Sequence, residues 1–173
     1  MDCILVRHGI AVERDEWAGA DSGRPLTERG AKRVAQVAAG LKRLDVHPVH
    51  IFSSPLVRAV ETAQILCTVL GLPDSVSQVP ELAPDAEPVR ILTVFRKFPP
   101  DSCVLCVGHE PHLGLLAGMV LTGKPSPSFR FKKAGACMIG LPDPLQIGHG
   151  VLQWWMGPGQ LRILGKKAAT IDV

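Results

Sequence analysis

The chain of 173 residues has no stretch approaching the roughly 20 apolar residues of a membrane-spanning helix. No charge of one sign dominates. Its 19 Lys+Arg against 16 Asp+Glu leave a formal net charge of +3, well short of the basic excess that marks a nucleic-acid module. Neither a nucleic acid nor a membrane is therefore expected as partner. There is no internal repeat and no low-complexity linker. With 46% hydrophobic and 20% charged residues, the composition excludes a disordered tail, a collagen-like repeat and a coiled coil. No basic segment leads into an apolar one at the N-terminus, where Met1 and Asp2 run straight into a strand pattern. A secretory signal is not expected, and the chain reads as soluble and cytoplasmic. Cysteines are few and odd in number: Cys3, Cys67, Cys103, Cys106 and Cys137 lie in apolar runs. That placement predicts buried thiols in a reducing compartment, not a disulfide framework. What remains is a length suited to one domain, residues 1–173, with a real core.

Strand and helix patterns alternate along that domain. Cys3-Ile4-Leu5-Val6 is a short apolar run ending abruptly at Arg7-His8-Gly9. After the breakers Gly19, Gly23 and Pro25, Thr27 can cap a helix whose apolar positions recur through Val34, Val37, Ala38, Leu41 and Leu44. His50-Ile51-Phe52 reads as a second strand, followed by a helix from about Leu56 to Leu70 that Gly71 can stop. Val76 to Val79 predicts a third strand and Pro88 to Phe98 a helix. Cys103 to Val107 is the strongest buried strand, ending in Gly108-His109, and Pro111 opens a helix to about Leu121. Two strands follow, Ala136 to Leu141 and Val151 to Met156. The expected fold is α/β: a single three-layer domain, a mostly parallel central sheet with helices on both faces, the last strands antiparallel.

In such sheets ligands bind outside the carboxyl ends of the strands. Three strands end there in Arg7-His8-Gly9, Ser53-Ser54-Pro55 and Gly108-His109-Glu110, and Arg58 follows in the first turn of the next helix. If the strands are neighbours, two histidines and two arginines converge. That set suits a phosphoryl group, because guanidinium forks match its oxygens and helix N-termini favour anions. A neutral imidazole can attack phosphorus and hold the group until water removes it. Its other ring nitrogen should then donate to a fixed acceptor such as a backbone carbonyl. The arginines and a protonated second histidine can stabilise charge on the equatorial oxygens in place of a metal. Geometry at this level leaves open which histidine attacks.

Four blocks in order carry a resemblance: Leu5-Val6-Arg7-His8-Gly9, Arg24-Pro25-Leu26-Thr27-Glu28-Arg29-Gly30, Ser53-Ser54-Pro55-Leu56-Val57-Arg58-Ala59-Val60-Glu61-Thr62-Ala63 and Val107-Gly108-His109-Glu110-Pro111. The chain resembles the histidine phosphatase superfamily, with its phosphoglycerate-mutase-like fold, and within it the small SixA-type phosphohistidine phosphatases. The likeness extends to the Trp154-Trp155-Met156-Gly157-Pro158-Gly159 segment. It implies that His8 is the nucleophile and that Arg7, Arg58 and His109 bind and polarise the phosphoryl group, with Gly9 beside them among the substrate-binding residues. It implies no metal and no cofactor.

Members acting on phosphate esters carry a leucine-x-glutamate after the third strand, whose Glu protonates the leaving oxygen. Here the residues are Leu82-Ala83-Pro84, so that acid is missing, and Glu81 or Asp85 would have to serve through a shifted backbone. A positioned acid contributes about 10²–10⁴-fold. A phosphoramidate needs it less, because its leaving imidazole can be protonated on the remote nitrogen. No gap between the blocks can hold a cap domain either, since Thr62 to Val76 is one helix and a turn. Both absences favour phosphohistidine on a signalling or carrier protein over a small phosphomonoester. The competing expectations are a phosphomonoesterase using Glu81 or Asp85, and a non-catalytic phosphohistidine-binding module.

The other notable residues read as structural. His109 and His112 share helical spacing, but a helix starting at Pro111 leaves His109 outside it, against a metal pair. Cys103 and Cys106 are three apart on a strand and point to opposite faces. His47 and His50 are expected in solvent. Trp154 and Trp155 alternate, one facing the core and the other expected at an edge or exposed. Asp21 and Arg24 are expected to order the loop beside His8, and Lys132, Lys133, Lys166 and Lys167 to be solvated.

Overall fold

A computed structural model describes residues 1–72 and 76–166; Lys167 lies outside the described residues. The strands are β1 (Asp2–Arg7), β2 (His50–Ser53), β3 (Val76–Gln78), β4 (Cys103–Gly108), β5 (Ala136–Gly140) and β6 (Val151–Met156), in one sheet of order β3-β2-β4-β1-β5-β6. β3, β2, β4 and β1 are parallel, while β5 and β6 join antiparallel. The helices are α1 (Glu28–Arg43), α2 (Val57–Leu70), α3 (Ile91–Phe95), α4 (His112–Thr122) and α5 (Pro158–Gly165).

Alternation along the central strands builds two cores. Cys3 and Leu5 of β1 join Val104 and Cys106 of β4 against α3 and α4. Ile4 and Val6 join Leu105 and Val107 against α1, α2 and α5. Because both faces are covered, these strands read as continuous apolar runs. The cysteines obey the same parity. Cys106 is in the α4-side core, Cys103 packs against the other, and all five thiols are free. Burial pushes the Cys103 thiol up to about 12, which keeps it protonated and inert.

Local signals set most boundaries. Thr27 Oγ1 accepts the Gly30 N–H at 2.9 Å, capping α1. Gly71 ends α2 at φ +76°, a left-handed conformation that glycine adopts without steric cost. The helix expected over 88–98 is shorter, a tight turn at Pro88–Arg90 followed by α3. Past Phe95 the winding tightens to three-residue bonds, Lys97 N–H to the Val94 carbonyl and Phe98 N–H to Phe95. Pro99 forces this by disfavouring α-helical backbone at Phe98.

α5 is absent from the sequence expectation. It is short and contains Gly159 and Gly165, so its propensity is weak and its stability comes from packing on α1. A Cβ on Gly40 would overlap the Leu161 carbonyl oxygen, and glycine there lets the two helices touch backbone to backbone. His50 also departs from expectation. It is half-buried, its Nε2 2.9 Å from Ser77 Oγ and its ring 4.6 Å from that of Phe52. Neither tryptophan is exposed: Trp154 packs on the α1 side and Trp155 on the α4 side.

Candidate active site

Strand register brings the polar strand ends together. Arg7 lies opposite Gly108, and Ser53 opposite Val107. His8 and Ser54 leave the sheet flanking β4, the His8 N–H bonded to the Gly108 carbonyl at 3.0 Å and the Ser54 N–H to Val107 at 2.9 Å. The rings of His8 and His109 are 5.0 Å apart between centroids, tilted by 53°.

His8 is 6% exposed, and its Nδ1 lies 2.7 Å from the Gly9 carbonyl oxygen. A carbonyl can only accept, so Nδ1 carries the proton and Nε2 keeps its lone pair. Burial pushes the His8 pKa down to about 3; the Gly9 bond opposes this, and the charges of Arg58, Arg7 and Lys133 add to it. The imidazole is therefore neutral and nucleophilic at any physiological pH. Gly9, expected among the substrate-binding residues, has both backbone groups engaged within the protein. Its carbonyl takes His8, and its N–H donates to Thr62 Oγ1 at 3.0 Å. It orients the imidazole instead, and a Cβ there would overlap Val34.

His109 is 2% exposed, with Nε2 2.8 Å from Ser54 Oγ. Its pKa is also lowered to about 3, by burial first and then by His8 and Arg58. Among protein groups alone it is neutral, contrary to the expectation of a protonated partner. A phosphoryl dianion beside it would reverse the repulsive part of that shift.

The arginines are anchored from behind. Arg7 Nη1 donates to the Phe131 carbonyl at 2.8 Å. Arg58, in the first turn of α2, donates from Nη1 to the Asp21 carbonyl at 2.9 Å and from Nη2 to Asp21 Oδ2 at 3.1 Å. Asp21 Oδ1 takes Arg24 Nη2 at 3.0 Å and Arg14 Nη1 at 3.1 Å. Burial alone would raise the Asp21 pKa, but Arg58 and Arg24 outweigh it and hold the carboxyl below its usual range. Thr62 Oγ1 donates to the Arg58 carbonyl at 2.7 Å while accepting from Gly9, joining the two catalytic blocks.

Three nitrogens of this cluster are buried without any protein partner: Arg7 Nε, Arg58 Nε and His109 Nδ1. Unsatisfied buried polar atoms are rare in folded proteins. Here they sit on the residues gathered around the His8 imidazole, and a tetrahedral oxyanion has the acceptors they lack.

Glu81 and Asp85 are placed differently. Glu81 is in the short turn Pro80–Leu82 and Asp85 is exposed beyond it. Neither carboxylate makes a hydrogen bond or ion pair with His8, Arg7, Arg58 or His109 among the described residues. The Glu81 backbone and the Asp85 carboxylate lie near His112, the first residue of α4, which is 1% exposed and whose pKa is lowered by burial. The sequence reading gave Asp21 the ordering of the loop and missed its grip on Arg58. It assigned no role to Ser54 and Thr62. Ser54 and Thr62 lie inside the third motif block and Asp21 three residues before the second, but a sequence does not say which polar side chain faces which.

Residues 3–83 match the sequence model of the histidine phosphatase superfamily (branch 1). An uncharacterized protein of Picosynechococcus sp. is 38% identical over 144 residues, which is 82% of this chain and 84% of that one. The chain belongs to the histidine phosphatase superfamily. It is accordingly a phosphatase, with a phosphoglycerate-mutase-like fold in a single α/β domain. Within the superfamily it is similar to the phosphohistidine phosphatase SixA of Escherichia coli K12, at 27% identity over 165 residues, 94% of this chain and 98% of SixA. The structure of the protein histidine phosphatase SixA complexed with tungstate superimposes with a TM-score of 0.81 at 28% identity, covering 93% of this chain and 99% of that one. The alpha-ribazole phosphatase of Shigella flexneri shares the fold at 20% identity and a TM-score of 0.68, covering 91% and 97%.

Proposed function

We propose that the protein is a metal-independent phosphohistidine phosphatase acting on a phosphorylated histidine of a signalling or carrier protein. The observation that carries this reading is the His8 imidazole, its Nδ1 proton tied to Gly9 and its Nε2 free, beside three buried nitrogens without partners. In the first step His8 Nε2 bonds to phosphorus as the P–N bond of the substrate breaks, and the substrate imidazole leaves with a proton on its remote nitrogen. In the second, water attacks the His8 phosphoramidate, releasing inorganic phosphate and restoring His8. Arg7, Arg58 and His109 Nδ1–H hold the equatorial oxygens and supply the charge that a metal supplies elsewhere. Glu81 and Asp85 make no contact with the cluster, and Asp21, the carboxylate that does, is tied up by Arg58 and Arg24 and held below its usual range, which fits a leaving imidazole better than a leaving alkoxide. The five free thiols fit a reducing, cytoplasmic setting. Among the described residues no helix is long and apolar enough to cross a membrane.

The test compares kcat/KM for a histidine-phosphorylated protein with that for a panel of phosphate esters, with EDTA present. The phosphoramidate should win, and His8→Ala should abolish turnover and ³²P labelling of the enzyme while keeping the native circular dichroism. An ester preference lost on changing Glu81 or Asp85 would establish the phosphomonoesterase instead. Binding of the phosphoprotein without turnover or labelling would leave only a recognition module.

A further inference from the structure

A cleft of about 450 Å³ opens beside the phosphoryl site and shares Arg7 with it. One wall is the segment from Ser126 to Phe131; the other is Glu110, Pro111 and Leu115 at the start of α4. Arg7 ties the cleft to the catalytic centre, since its Nη1 holds the Phe131 carbonyl while the Phe131 N–H donates to Glu110 Oε1 at 3.1 Å. The aromatic wall is rigid: the Phe131 ring lies 4.1 Å from that of Trp155, and the Phe129 ring 5.9 Å. The cleft carries two arginines, Arg7 and Arg130, against the single carboxylate of Glu110, which feels the charge of both. The Glu110 carboxylate is occupied by backbone N–H groups of Phe131 and Gly114. Arg130 is exposed and has no carboxylate within 4.0 Å among the described residues, and its Nε is pinned to the Pro127 carbonyl at 3.1 Å.

We propose that this cleft docks the polypeptide around the substrate's phosphohistidine and reads a carboxylate there through Arg130. Aromatic walls with an arginine at the rim are the composition of protein-recognition surfaces, and the volume lies in the range of ligand sites. A single polypeptide can fill both places, because Arg7 touches the phosphoryl group on one side and lines the cleft on the other. The unpaired cation selects an acidic side chain as neighbour, and repels a basic one. This inference rests on the phosphohistidine reading above, and the experiment separates the two.

Two synthetic peptides of equal length, each phosphorylated on one histidine, carry glutamates or lysines on both sides of it. The native protein should hydrolyse the glutamate peptide with a kcat/KM about three- to tenfold higher, mostly through KM. Arg130→Glu should reverse the order. Arg43→Glu, the same charge change in the last turn of α1, should keep the native order. Equal rates on both peptides, or the same preference in the native protein and Arg130→Glu, overturn the docking inference alone. Failure to hydrolyse either peptide overturns the phosphohistidine reading, and the docking with it.

Discussion

Asp21 bonds three arginines at once, and they are not equivalent. Arg14 is almost fully exposed, whereas Arg58 is buried and presents a fixed fork to Asp21 through both the carboxylate and the backbone carbonyl. The surface pair contributes little, but the buried one decides where the Arg58 guanidinium points. Asp21→Asn should therefore lower kcat/KM on a phosphohistidine substrate by about tenfold or more, the scale of one charge-assisted hydrogen bond in a transition state. Arg14→Ala should have a much smaller effect. An Asp21→Asn enzyme with native kcat/KM would show that Arg58 is oriented by something else. Ser54 Oγ sits against His109 as well: it accepts the Leu56 N–H at 3.4 Å and lies 2.8 Å from His109 Nε2, and where the hydroxyl donates to that nitrogen the imidazole proton is on Nδ1.

At the scale of elements, α1 is the platform on which the site stands. Its N-terminal turn receives the His8 loop: the Thr27 N–H donates to the Ile10 carbonyl, and the Leu26 N–H to Glu61 of α2. Its C-terminal end carries α5 through the glycine contact at Gly40. Gly40→Ala places a methyl group against backbone, which cannot repack as a side chain can. The expected cost is about 1–3 kcal/mol, measurable in urea unfolding. Because Gly40 lies near the C-terminal end of α1, more than three turns from the Thr27 end that meets the His8 loop, kcat at a temperature where the variant is folded should be near native. A Gly40→Ala protein as stable as the native one would mean that α5 moves away freely and contributes little.

For the whole molecule, the consequence of gathering histidines in one buried site is sensitivity to acid. His8 and His109 have pKa values near 3 when folded, against an ordinary value of 6.5; His112 and His50 are lowered too, mainly by burial. Between about pH 6.5 and 3 the unfolded chain binds more protons than the folded one, so stability rises with pH across that window. It is fully present above 6.5 and is lost as the pH falls toward 3. The urea midpoint should drop between pH 7.5 and pH 5, and the drop should be smaller in His8→Ala. A midpoint independent of pH over that range would contradict neutral, buried histidines.

Much of this protein was legible along the chain. Short apolar runs placed the strands, Thr27 and Gly71 marked helix ends, and the polar residues at three strand ends pointed to the site, because these signals depend only on near neighbours. Other features depended on segments far apart in sequence. α5 is stable only against α1, and His50 is half-buried only because Phe52, Phe98 and Ser77 meet it. The sequence by itself determined which chemistry is present: a strand-end histidine with arginines in reach. The tertiary structure decided which ring nitrogen is free, which carboxylate holds Arg58, and that His109 is neutral. Those outcomes are set by burial and by hydrogen-bond geometry, from the His8–Gly9 contact between chain neighbours to the Arg58–Asp21 bond across 37 residues, and periodicity carries no record of them.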